Sequence, residues 1–163
     1  MTAGNARETQ TVMKLPSFAP SLAVFHCRWC LPDQELVRSL LPEEVAARSQ
    51  FLRINCSARM EAEFAIKALA EGYDGVIVLG CEIGECHYLT GNHQAVKRLT
   101  LLKKMLVMCG IYPARLGFFW VSPYDEEALR KQVRSVVEDI VAIGPFKHKK
   151  TWIHPRSSPE NNG

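Results

Sequence analysis

Six cysteines stand in a chain of 163 residues, and their positions carry more meaning than their number. Cys27 and Cys30 form a Cys-x-x-Cys turn, Cys56 stands apart, and Cys81-Glu-Ile-Gly-Glu-Cys86 closes a second short loop. In a chain read as cytosolic, such usage points to metal, redox or catalytic work rather than to structural disulfides. Three chemistries fit. Two irons sharing two sulfides need four thiolates, two per iron. Cys27 with Cys30 supplies one pair and Cys81 with Cys86 the other, because closing a short loop onto a metal costs little chain entropy. Gly84 lets the second loop turn tightly, and Cys56 is then a thiol held nearby. Structural zinc also takes four cysteines, although a chain with an ample core has less need of a zinc staple. A dithiol redox pair at Cys27 and Cys30 is the third, and it leaves the remaining cysteines without a role. None of the spacings matches the common ferredoxin runs.

The elements around these thiols explain why they should converge. Leu22 to His26 reads as a buried strand running into Cys27. Pro32 and Asp33 suit a helix start, with Glu35 to Leu41 as one or two turns. Phe51 to Asn55 is a second strand ending at Cys56, and Ser57 is placed to cap the helix that follows. Phe64, Ala65, Ala68 and Leu69 sit at helical spacing before a stop at Gly72. Gly75 to Gly80 is apolar on both faces, as in a strand covered from both sides, and ends at Cys81. Residues 93–109 form the clearest helix, with Ala95, Leu99, Leu102, Leu106 and Cys109 on one stripe and Gly110 as its end. Arg115 to Val121 is a fourth strand. Ser122-Pro123 opens a last helix with Leu129, Val133, Val136 and Ile140 on one face, stopped by Gly144-Pro145. The alternation of strand and helix predicts an α/β fold of three layers. A parallel four-stranded sheet, in order 2-1-3-4, carries helices on both faces. Sites in such sheets form outside the carboxyl ends of the strands. Cys27, Cys30, Cys56, Cys81 and Cys86 are therefore expected together on that edge, while Cys109 is expected as a small core residue and not a ligand.

Composition sets the outer bounds. Apolar residues are 47% and charged residues 23%, the balance of a globular chain with one core of ordinary size. No run of about 20 apolar residues is present to cross a bilayer, and the polar start leads into no signal-like segment. Residues 1–20 read as a flexible leader, 21–146 as the folded unit and 147–163 as a flexible basic tail. Lys147, Lys149, Lys150 and Arg156 against Glu160 account for the whole net charge of +3. The body is neutral and offers no basic face for nucleic acid. No dinucleotide or phosphate-loop glycine pattern follows any strand. His26 and His87, each beside a cysteine, read as packing groups or hydrogen-bond donors rather than ligands. Trp29, inside the Cys-x-x-Cys turn, either shields the thiols or packs on a partner.

Phe25-His-Cys-Arg-Trp-Cys30, Cys56-Ser-Ala-Arg59, the run from Asp74 through Gly80-Cys81-Glu-Ile-Gly-Glu-Cys86-His-Tyr88, Gly91-Asn92 and Gly144-Pro145 together resemble one known family. It is the delta, or iron–sulfur, subunit of methyl-viologen-reducing hydrogenase, the MvhD family. The similarity runs from about Leu22 to Pro145, and Gly-Cys-x-x-Gly-x-Cys-His-Tyr followed by Gly-Asn is its most specific part. The resemblance implies a cytoplasmic, non-catalytic [2Fe–2S] subunit. It would relay electrons between a hydrogenase, formate dehydrogenase or other oxidoreductase and the HdrA-like flavin subunit of a heterodisulfide reductase. Cys27, Cys30, Cys56, Cys81 and Cys86 match the family's cysteines, four of them as ligands. The alternative left by the residues themselves is a zinc-stabilised or dithiol redox module.

Overall fold

The computed structural model describes residues 18–122 and 125–147. The element order is β1 (Leu22–Cys27), α1 (Gln34–Ser39), α2 (Glu43–Arg48), β2 (Gln50–Ile54), α3 (Ala62–Ala70), β3 (Gly75–Cys81), α4 (Gly91–Met108), β4 (Leu116–Val121) and α5 (Glu126–Ile143). The four strands form one sheet in the order β2-β1-β3-β4, and every neighbouring pair is parallel. This is the expected architecture. The leader and tail expected at 1–20 and 147–163 lie almost wholly outside the described residues.

The strands are apolar on both faces because both faces are covered. Leu22, Val24, Ile77, Leu79 and Val121 point toward α1, α2 and α5, where they meet Val37, Val45, Leu129, Val133, Val137 and Ile140. Ala23, Phe25, Val76, Val78 and Leu116 point to the other side, against Ala65, Leu69, Ala95, Leu99, Leu102 and Leu106 of α3 and α4. The period of two along each strand thus divides its residues between two cores. β1 and β3, the central pair, are buried along their whole length.

Several boundaries differ from those the sequence suggests. Residues 43–48 form a short helix, α2, where no helix was expected; it begins directly after Pro42. The helix expected at Ser57 is a single 3₁₀ turn, Ser57–Arg59, and α3 starts later, after Glu61. Phe64 is largely exposed rather than on the buried stripe. In α5 the fully buried position is Val137, with Val136 only partly covered. That helix begins at Glu126, where the Asp125 carboxylate accepts from the Ala128 N–H at 3.0 Å; Pro123 lies outside the described residues. Arg115 is no strand residue. It is buried in a 3₁₀ turn, donating to the Asp74 carbonyl at 2.7 Å and the Gly144 carbonyl at 2.8 Å.

The placement of Cys109 overturns an expectation. It is exposed, not part of the core. α4 ends at Met108, and Cys109 is its C-cap, so the stripe of Ala95, Leu99, Leu102 and Leu106 stops short of it. Gly110, with φ +75°, then turns the chain away.

Candidate metal centre

β1 and β3 lie side by side, yet the chain leaves them on opposite faces. β1 continues into α1 and β3 into α4. The carboxyl ends of these two strands are thus the switch point of the sheet, where a crevice opens. Cys27 is the last residue of β1 and Cys81 the last of β3. Their sulfurs are 3.6 Å apart. Cys30 returns to the same place through a turn in which the Leu31 N–H donates to the Cys27 carbonyl at 3.0 Å. The sulfurs of Cys27, Cys30 and Cys81 all lie within 4.8 Å of one another. Cys81 therefore faces the thiol group and not the core.

The remaining two thiols form a second group. Cys56 ends the chain segment after β2, caps the 3₁₀ turn, and accepts from the Ala58 N–H at 3.5 Å. Its sulfur is 3.8 Å from that of Cys86. All five expected cysteines thus stand on the one sheet edge, four buried and Cys30 partly so. Cys27 meets Cys81, and Cys56 meets Cys86, from segments distant in sequence, while Cys30 joins the first group from within its own turn.

The backbone around the thiols is held by residues that spacing alone does not single out. Gly84 has φ +96°, which lets Cys81 to Cys86 double back, and the Glu85 N–H closes that turn on the Glu82 carbonyl at 2.9 Å. Asn92 is fully buried; its amide donates to the carbonyls of Glu82 at 2.6 Å and Cys81 at 3.3 Å. Gly91 opens α4 hard against the sulfurs. A methyl group there would sit 2.5 Å from Cys56 Sγ and 3.0 Å from Cys86 Sγ. Gly91-Asn92 was visible in the sequence only as part of a resemblance.

Over the open side lies an aromatic stack. Trp29 and His87 stack with nearly parallel rings, centroids 3.5 Å apart, and Tyr88 meets both edge-on. Trp29, Cys30, Cys81, Glu82, Glu85, His87 and Val121 line a cavity of about 520 Å³ that opens to solvent. Trp29 lines the cavity and stays 45% exposed. His26 is fully buried on β1, and its Nδ1 donates to the Leu31 carbonyl at 2.8 Å, so it shapes the turn and holds none of the thiols.

Protonation shows what crowding the thiols does. Hydrogen bonding to the neighbouring Cys30 pulls the Cys27 thiol down to about 5, while burial pushes Cys81 up to about 11. Cys30 is pushed up because it shares its proton with Cys27, and Cys56 chiefly by burial. One thiolate is favoured in the group and further ones are resisted, since like charges in a buried place repel. A bound cation reverses that resistance, because it supplies the missing opposite charge. Soft, buried donors converging from separate chain segments fit a thiolate-ligated metal centre.

The fold and site define a parallel α/β protein with a multi-thiol site at its sheet switch point. Residues 22–144 match the family model of the methyl-viologen-reducing hydrogenase delta subunit, and the chain belongs to that family. The iron–sulfur subunit of an F420-non-reducing hydrogenase from Archaeoglobus profundus is 34% identical over 131 residues, covering 80% of this chain and 96% of that one. The corresponding vhc hydrogenase subunit of Methanococcus voltae is 31% identical over 134 residues, covering 82% and 93%. A ferredoxin/F420H2-dependent CoB-CoM heterodisulfide reductase subunit from Methanosarcina acetivorans is 34% identical over 130 residues. The match covers 80% of this chain but only 16% of that protein. No helix among the described residues is long and apolar enough to cross a membrane.

Proposed function

We propose that this chain is a cytoplasmic electron-relay subunit holding one [2Fe–2S] cluster through Cys27, Cys30, Cys81 and Cys86, with Cys56 as a thiol packed beside Cys86. The observation that carries the reading is the convergence of five thiols at one sheet edge beside an open cavity. When bound, such a cluster supplies one-electron uptake and release at thiolate-ligated iron. The protein's own part is to hold the thiolates, keep water from most of them and leave one approach open. Trp29 and His87 flank that approach. On this reading the electron donor is a hydrogenase- or dehydrogenase-type protein, and the acceptor is the HdrA-like flavoprotein of a heterodisulfide reductase.

Cys56 in place of Cys81 is the competing ligand set; the 3.8 Å approach of Cys56 to Cys86 speaks for Cys56, and the place of Cys81 beside Cys27 and Cys30 speaks against the exchange. Single Cys→Ser variants, purified without oxygen and assayed for iron, sulfide and paramagnetic resonance after reduction, test both. The expected result is a brown protein with two irons per chain, lost in the Cys27, Cys30, Cys81 and Cys86 variants and retained in Cys56→Ser. A colourless protein containing zinc overturns the relay reading. A cluster that survives Cys81→Ser and fails in Cys56→Ser overturns the ligand set alone.

A further inference from the structure

α4 carries a second face that neither the core nor the thiol edge uses. Its inner stripe, Ala95, Leu99, Leu102 and Leu106, is buried. Its outer face presents Leu101, Met105 and Met108, which are 60%, 48% and 87% exposed. They recur at spacings of four and three, so they form one stripe along the helix. Tyr112, just past the helix, and Ile66, on the neighbouring α3 of the same layer, are also exposed. An exposed apolar helix stripe of this kind, rich in methionine, suits an interaction site.

The charge on α4 narrows the occupant. From Gly91 to Met108 the helix contains Lys97, Arg98, Lys103 and Lys104 and no acidic residue. Arg98 is already engaged with Glu61 at 2.8 Å, and Lys103 lies over the Phe118 ring. Lys97 and Lys104 remain exposed on the same side as Leu101 and Met108. A second copy of this chain would set like charges against each other across a two-fold contact. The chain's own ends offer no acidic counterpart, since residues 1–17 hold Arg7 and Lys14 against Glu8 and residues 147–163 are basic. A lipid surface is poorly served by two free lysines, at about 1 kcal/mol each. The complementary surface is an acidic protein face with apolar residues at its centre.

We infer that the outer face of α4 is the anchoring surface by which this chain binds an acidic, apolar-centred face of the HdrA-like flavoprotein. This rests on the relay reading for the partner's identity. It is supported by relatives in which a similar sequence occurs both as a separate hydrogenase subunit and within a much longer heterodisulfide reductase chain. Leu101 to Met108 lie 10 to 17 residues beyond Gly91, roughly 15–25 Å along the helix from the thiols. Anchoring and electron exchange are thus separated on the molecule, so the aromatic-flanked opening stays available.

The test uses the full chain with its cluster and the purified HdrA-like flavoprotein of the same source, with affinity measured at low and high salt. The L101E/M105E variant is expected to weaken binding roughly tenfold or more, as loss of buried interface anchors does. The K97E/K104E variant is expected to weaken it at low salt, with the difference shrinking as salt rises. Both variants alter exposed positions, and both should keep wild-type iron content and unfolding midpoint. Unchanged affinity in both variants, with the wild type binding, overturns the α4 surface and leaves the relay reading standing. No binding by the wild type overturns the partner named by the relay reading, and this inference with it. A wild-type dimer dissociated by L101E/M105E, or flotation with phosphatidylserine vesicles, overturns the assigned occupant.

Discussion

Gly91 is the tightest point in the molecule's chemistry. Its missing side chain is the space that two sulfurs occupy. A Gly91→Ala variant must displace either Cys56 and Cys86 or the start of α4, and overpacking of this kind costs about 1–3 kcal/mol. We expect lowered iron content together with a lower unfolding midpoint, read by iron assay and calorimetry on the same sample. Asn92 acts on backbone instead. Asn92→Ala leaves the Cys81 and Glu82 carbonyls without their buried donor, at a cost on the order of 1–3 kcal/mol. Its denaturant midpoint should fall accordingly. Cys109→Ala should do neither: at an exposed cap the change stays within about 0.5 kcal/mol, and iron content should match the wild type. The thiols at the edge were legible because three strands lead visibly into Cys27, Cys56 and Cys81, and Cys30 and Cys86 follow in the loops after two of them. Cys109 misled because it continues the helical spacing, and spacing does not show that the helix stops at Met108. Gly91 and Asn92 act through contacts across the chain, which no local pattern reports.

At the scale of elements, type was legible and phase less so. Val136 and Val137 are both apolar, and either continues the stripe from Val133 to Ile140, so only packing selects Val137. α2 escaped notice because six residues after a proline are too short to show a period. The far end of the sheet contains a clasp that sequence did not suggest. The Asp74 carboxylate accepts from the Ser21 and Phe146 N–H groups, each at 2.8 Å, while Arg115 ties the Asp74 and Gly144 carbonyls. The clasp joins the start of β1, the start of β3 and the chain leaving α5. Asp74→Ala strands these part-buried donors, and a loss of about 2–4 kcal/mol is expected from chemical denaturation. Because the clasp is at the opposite end from the thiols, variant protein that folds should bind iron as the wild type does.

The whole-molecule topology was the most legible level, since strand–helix alternation admits few arrangements once crossovers are short and right-handed. The approach of Cys27 to Cys81 was less so. Loop entropy favours partners close in sequence, whereas the register of β1 on β3, with His26 opposite Leu79, brings Cys27 beside Cys81. A metal bound there links segments 54 residues apart and stabilises only the folded chain. Removal of iron by chelation under argon should lower stability by about 3 kcal/mol or more, roughly 6–12 °C in unfolding midpoint. The all-parallel register also governs how the protein comes into being. No strand of this sheet can pair with its neighbour through a hairpin, and Leu22 must find Gly75 across half a hundred intervening residues. Such sheets form slowly, because chain closure precedes the contacts that reward it. The five edge thiols are therefore unburied for the longest stage of folding, free to couple wrongly with one another and with Cys109. Refolding in air should yield scrambled disulfides and little native protein, and refolding with excess reductant should restore it. The fold that later shelters the five edge sulfurs leaves them defenceless while it forms, so reductant during refolding is expected to decide the yield of native protein.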